Sequence, residues 1–225
     1  MSSLFDCADS TLATDAVHQS IAALDRGEIV VVPTDTVYGV AVSPKIPGAI
    51  DRVVALKGRE RTAPPPFLVG GVDQVWPLLV EGSHTAEVTA LINALWPGGL
   101  TMVLPVNPGL DWDIGETNGT IAVRMPNEPV LLELLRSYGP LAVTSANLTG
   151  EPPCESAYTA LNVFGDKVGV YLDAGARGSD SGEQIPSTII DVTDLVAGGK
   201  NIRVIRHGAV TLEQLLEVLP ESVIQ

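Results

Sequence analysis

Lys57, Arg59 and Arg61 place three cations within one short stretch, and no acidic residue follows until Asp73. Lysine is a movable point charge and arginine a rigid fork, and both suit phosphates. A solvated helix end whose cations complement the helix dipole fits the same residues. Arg124 closes the apolar run TIAVR. A guanidinium at the end of a buried run needs either a structural carboxylate or an anionic ligand, because an unpaired buried charge is costly. Ser145 and Asn147 follow PLAVT; they supply a hydroxyl and a carboxamide that can donate to phosphate or orient a carboxylate, or simply cap a turn. Thr34, Asp35, Thr36 and Tyr38 follow EIVVVP. Polar groups just past a buried strand face a crevice in open α/β sheets. The chemistry these groups allow is the holding of an anionic substrate, with no activated nucleophile among them.

Other site classes are absent from the sequence. It holds no G-x-x-x-x-G-K-[ST] loop and no G-x-G-x-x-G after a strand. It also lacks H-E-x-x-H, C-x-x-C and G-x-S-x-G. Cys7 and Cys154 have no metal-ligand spacing and read as reduced thiols. The net charge of −14, with only 13 Lys and Arg, opposes a free-standing nucleic-acid binder, which gains most of its affinity from phosphate neutralisation. No apolar stretch approaches a membrane span, and the N-terminus is no secretory signal, so a cytoplasmic protein is expected.

The elements that must position these residues read as a mixed α/β chain. Residues 1–13 read as a loose arm, and residues 14–225 as a single domain. Thr14 or Asp15 can cap a helix that stops at Gly27. EIVVVP, PPPFLVGG, LTMVLPV, TIAVRMP, PLAVTSAN, VGVYLDAG, PSTIIDVT and NIRVIRHG read as strands. Further helices are expected near Pro44–Arg59, after Ser83, after Asn127, over Ala157–Phe164, and in TLEQLLEVL. The Gly-rich stretch 174–186 reads as a mobile loop that closes over the site. This irregular alternation favours one α/β domain with an open, twisted mixed sheet and flanking helices.

Seven segments, in order, resemble the YrdC-type threonylcarbamoyl-AMP synthase family. They are PTDTVYG (33–39), LKGR (56–59), LWPGGLT (95–101), IAVRMP (121–126), TSANLTG (144–150), PSTIID (186–191) and IRHG (205–208). The resemblance implies a YrdC-like sheet around a deep positive cavity, in the form without a second C-terminal domain. It implies synthesis of L-threonylcarbamoyladenylate from L-threonine, bicarbonate or CO2, and ATP, with release of pyrophosphate. Mg²⁺ would accompany ATP, with no protein-built metal site. The product would pass to proteins that modify adenosine 37 of tRNA, and direct contact with tRNA would be weak or indirect.

The resemblance also distributes roles. Lys57 and Arg59 would meet the phosphates, with Thr120, Ser145 and Arg206 as further nucleotide contacts and Asn147 completing the catalytic set. Thr36, Arg124, Val143 and Ser187 would hold threonine, Arg124 through its carboxylate. Arg61 receives no role. Three segments depart from the family pattern: APPPFL at 63–68, Leu68 where some members carry histidine, and Arg206-His207-Gly208 in place of Arg-Pro-Gly. An RNA-binding module, a related carbamoyl-transfer enzyme and a non-catalytic family member are the alternative readings.

Overall fold

The computed structural model describes residues 2–8, 10–58, 64–177, 184–220 and 223–224. Its frame is one ten-stranded sheet, made of β1 (Ser3–Asp6), β2 (Val30–Val32), β3 (Gly39–Val42), β4 (Phe67–Leu68), β5 (Leu100–Pro105), β6 (Thr120–Arg124), β7 (Leu141–Ser145), β8 (Val170–Asp173), β9 (Thr188–Asp191) and β10 (Arg203–Arg206). The spatial order is β1-β8-β2-β3-β7-β4-β6-β5-β9-β10. Four of the pairings are parallel: β1 with β8, β2 with β8, β4 with β6, and β5 with β9. The others are antiparallel, so the sheet is mixed, as the irregular alternation predicts.

Seven helices flank it: α1 (Ser10–Asp25), α2 (Ala49–Lys57), α3 (Ala86–Leu95), α4 (Pro129–Tyr138), α5 (Ala157–Phe164), α6 (Thr193–Val196) and α7 (Leu212–Val218). Their ends follow local chemistry. Ser156 and Thr159 form a reciprocal capping box on α5, and Thr211 and Gln214 form another on α7, each satisfying N-terminal backbone donors. Thr85, rather than the expected Ser83, caps α3 by accepting from the Val88 amide. Asn127 does not cap α4 either; Glu128 holds that position without a side-chain cap, and Pro129 opens the helix, where a missing N–H does no harm. Gly58 closes α2 at φ 64°, a left-handed geometry that glycine adopts without strain.

The N-terminus differs from the sequence expectation. Where residues 1–13 read as a loose arm, Ser3–Asp6 pairs in parallel with β8, and α1 opens at Ser10. Four residues of sequence hold too short an apolar pattern to announce a strand whose partner lies beyond residue 165. The strand β3, GVAV, is likewise missing from the strands expected of the sequence, since it offers only three apolar residues after Gly39.

Alternation of side chains across the sheet divides the core. Val31, Val40, Val42, Ala142 and Tyr171 face one apolar cluster, in which α2, α3 and α5 also bury side chains. Val30, Val32, Ala41, Leu141, Val143, Val170 and Leu172 face a second cluster with α1 and α4. Gly39 and Ser145 share the side-chain parity of this second face with Ala41 and Val143 on their own strands, Leu68 belongs to it, and Arg124 shares it as the register partner of Leu68.

Candidate active site

On that second face lies a cavity of about 320 Å³, lined by Thr34, Thr36, Leu68, Thr101, Arg124, Val143, Ser145, Gln184, Ser187 and Arg206 among others. Gly39 lets β3 and β7 come together beneath it; a Cβ there would sit 2.5 Å from Val143 Cγ1. Leu68 pairs with Arg124 on one side and Leu141 on the other, so the end of β6 is level with the start of β7 across β4. Ser145, at the other end of β7, pairs with Gly39. Thr34, Thr36, Arg124 and Ser145 nevertheless share one cavity, because the 34–38 turn reaches Arg124.

Arg124 is buried and held from three sides. Its Nε donates to Gly98 O at 2.8 Å, one terminal nitrogen donates to Thr36 Oγ1 at 2.9 Å, and the other pairs with Asp35. Burial pushes its pKa down and Asp35 pushes it back up, while nearby Arg206 lowers it. Guanidinium carries five N–H donors, so donors remain for a ligand. The structural-carboxylate reading of this residue thus holds, and the side chain also lines the cavity.

In the turn, Thr34 Oγ1 donates to Val37 O at 2.7 Å and accepts from the Thr36 and Val37 amides, which occupies its proton and both lone pairs, with the Thr36 hydroxyl 3.0 Å away. Thr36 Oγ1 accepts from Arg124, and its remaining lone pair is an acceptor for a substrate N–H or O–H. Ser187 is buried against Thr101, with 2.8 Å between the hydroxyl oxygens. Arg206 donates to Ser187 O at 2.7 Å and to Ser187 Oγ at 3.0 Å. Burial lowers the Arg206 pKa, and among the described residues no carboxylate forms an ion pair with it.

Lys57 occupies a different position from the one its sequence neighbourhood suggests. It is buried, and its ammonium donates to Ser145 O, to Ser145 Oγ at 3.3 Å and to Asn147 Oδ1 at 2.7 Å. Ser145 Oγ donates to Asn147 Oδ1 at 2.6 Å, and Asn147 Nδ2 donates to Glu151 O. Of this triad only Ser145 lines the cavity. Lys57 acts from behind, fixing the Ser-Ala-Asn turn. Thr120 lies in an adjoining apolar cavity of about 270 Å³, with Pro64 to Phe67, Ile121 and Ile205. Pro66 and Ile189 line both spaces. Arg59 and Arg61 lie outside the described residues, as do residues 178–183 of the glycine-rich stretch.

Several contributors carried no assigned role in the sequence. Asp35 sat within PTDTVYG and Thr101 within LWPGGLT, so both were visible but undistinguished. Gln184 lines the cavity and its Oε1 is a buried acceptor without a partner; nothing in its surroundings marked it. Among the described residues no group of His, Cys, Asp and Glu is arranged to hold a metal ion. No described helix is long and apolar enough to cross a membrane.

Comparison with known proteins agrees with this fold. The Sua5/yciO/yrdC family model, described as "Telomere recombination", matches residues 22–208. A Mycobacterium tuberculosis protein provisionally named threonylcarbamoyl-AMP synthase is 41% identical over 219 residues, covering 97% of this chain and 96% of that one. The threonylcarbamoyl-AMP synthase of Vibrio parahaemolyticus is 33% identical over 196 residues, covering 86% of this chain and 100% of its own. The crystal structure of P. abyssi Sua5 complexed with L-threonine superposes with a TM-score of 0.85 at 26% identity. It covers 100% of this chain, which spans 62% of that longer one.

Proposed function

We propose that this chain, which belongs to the Sua5/YciO/YrdC family, is an L-threonylcarbamoyl-AMP synthase. The observation that carries the reading is a cavity lined by two guanidiniums, Arg124 and Arg206, of which only Arg124 has a described carboxylate partner, Asp35. That surplus of positive charge in a chain of net charge −14 suits an anionic substrate pair.

Arg124, with donors to spare, takes the threonine carboxylate, and Thr36 accepts from the substrate amine or hydroxyl. Val143 and Leu68 supply apolar wall, and Ser187 completes the amino-acid side. The neutral amine adds CO2 to give a carbamate and a released proton. A carbamate oxygen then attacks the α-phosphorus of ATP, and the bond from that phosphorus to the bridging oxygen of pyrophosphate breaks. Such transfer depends on positioning and charge stabilisation. Arg206 and Arg59 offset phosphate charge. Ser145 can turn its hydroxyl proton from Asn147 to a phosphate oxygen, while Lys57 keeps Asn147 in place. Thr120 places the nucleotide at the adjoining apolar cavity.

Mg²⁺ enters with the triphosphate as its counter-ion; the described residues offer no carboxylate cluster to hold it separately. The product serves threonylcarbamoylation of adenosine 37 in tRNA by partner proteins in the cytoplasm, and the acidic charge keeps direct tRNA contact weak. The test is pyrophosphate release on incubation with ATP, L-threonine and bicarbonate. Release that requires all three is expected; release independent of threonine and bicarbonate, or none, sinks the reading.

A further inference from the structure

Arg177 belongs to none of the motifs above, yet it joins three segments at the edge of the site. Its Nε donates to Thr34 O at 2.8 Å and one terminal nitrogen to Ala174 O at 2.9 Å. The other terminal nitrogen pairs with the Glu128 carboxylate. The guanidinium carbon lies 5.8 Å from the centre of the Tyr38 ring. Its own amide donates to Glu155 O at 2.8 Å. The side chains of Arg177 and Glu128 are 18% and 12% exposed, so this pair is better shielded than a surface salt bridge.

The parts that Arg177 grips are themselves tied to the site. Thr34 Oγ1 accepts from the amides of Thr36 and Val37, which folds the turn around it. The Tyr38 hydroxyl donates to Gly175 O at 2.7 Å and accepts from the Ala174 amide at 3.0 Å. A continuous path runs from Glu128 through Arg177 to the Thr34 carbonyl, then through Thr34 and Thr36 to Arg124 and Asp35. Thr34 and Thr36 lie in the turn between the paired strands β2 and β3, beyond the last ladder pair Val32–Gly39, so the Thr34 carbonyl lies outside the sheet ladder. The Arg177 fork gives that carbonyl a donor, and its planar geometry allows all three acceptors to be met at once.

We propose that Arg177 is a positioning residue for the amino-acid half of the site, fixing the turn on which Thr36 and Asp35 meet Arg124. The inference rests on the synthase reading for its kinetic consequence, and on the hydrogen-bond path alone for its structural one.

The two are separable in one set of variants: Arg177→Met, Arg177→Lys and Glu128→Gln. In Arg177→Met the KM for threonine should rise about tenfold, equivalent to about 1.4 kcal/mol, while the KM for ATP stays within about twofold. Arg177→Lys, which keeps the charge but not the fork, should recover part of that loss, and Glu128→Gln should show a smaller rise. Backbone hydrogen exchange over residues 34–37 should quicken in Arg177→Met and stay unchanged at α3, far along the chain. Equal rises in both KM values, or exchange at 34–37 identical to the parent protein, would overturn the proposal. If the parent protein releases no threonine-dependent pyrophosphate, the synthase reading fails, and exchange at 34–37 still decides whether Arg177 positions the turn.

Discussion

The two ends of β2 border two very different hollows. Beyond Val32 the chain enters the 320 Å³ cavity at Thr34. Before Val30, Glu28 and Ile29 line a cleft of about 840 Å³, along with Arg26, Arg52, Asp166 and Lys167. The cleft is larger and also carries cations, yet Arg26, Arg52 and Lys167 are all exposed to solvent. Arg26 makes a two-pronged pair with Glu28 in open solvent, at 2.7 and 3.0 Å, and Arg52 Nε donates to Gly27 O. In the smaller cavity Arg124 is desolvated, Arg206 has no described carboxylate, and Gln184 holds an unmet acceptor. Volume does not locate the chemistry. What does is polar groups that have left water without full compensation, since those gain most from a ligand.

The contrast is broken most directly at Arg124. Arg124→Ala should lower threonine-dependent turnover at least about a hundredfold, and should also cost about 2–3 kcal/mol of stability, because Gly98 O, Thr36 and the partly exposed Asp35 lose their donor. Pyrophosphate release and urea unfolding measure the two effects; near-parent turnover would show that the cavity is not the amino-acid site.

Lys57→Met should lower turnover about tenfold, or about 1.4 kcal/mol in the transition state, through loosening of Ser145 and Asn147. Since Lys57 stands behind the cavity, its effect should fall on kcat and the KM for ATP, leaving the KM for threonine near its parent value. A selective rise in the threonine KM would place Lys57 in the wrong half.

Alkaline titration senses both ends of β8, the strand beside β2. Burial, then the charges of Asp173, Asp6 and Glu128, raises the Cys7 pKa to about 11. Burial is also the main cause that raises Tyr38, and it raises Tyr171 to about 12. These groups hold their protons more tightly folded than unfolded, so the stability they contribute is present below pH ~9 and is lost as pH rises through the folded values. Unfolding midpoints should therefore fall steadily from pH 9 to 11, and Cys7→Ser should flatten the earlier part of that fall. A flat profile would contradict the burial argument.

The smallest effect is expected at the cleft. Arg26→Ala should leave turnover and the unfolding midpoint unchanged within error, because the exposed pair with Glu28 is screened by water. Loss of turnover there would erase the distinction between the two hollows.

How much of this was legible depended on the range over which each feature is decided. Helix α5 matches its sequence reading at both ends because its capping box lies within four residues of its start. The mixed sheet was legible from alternating apolar runs and turns. The cap of α3 was misplaced by two residues because Ser83 and Thr85 are chemically equivalent candidates, and only the helix direction chooses between them. The Arg177 clamp was not legible: its acceptors lie 49 and 143 positions away, on Glu128 and Thr34.

The sequence by itself determined most element types, though not β1 or β3, along with the scarcity of cations and the seven segments that carry the family pattern, all of which are local in the chain or countable along it. Tertiary structure alone decided that Arg124 meets Asp35 while still facing the cavity, and that Lys57 holds Ser145 and Asn147 without itself lining that cavity. It also decided that β1 joins the sheet. Each of these depends on strand register and side-chain parity between distant segments, where a shift of one residue turns a side chain to the opposite face.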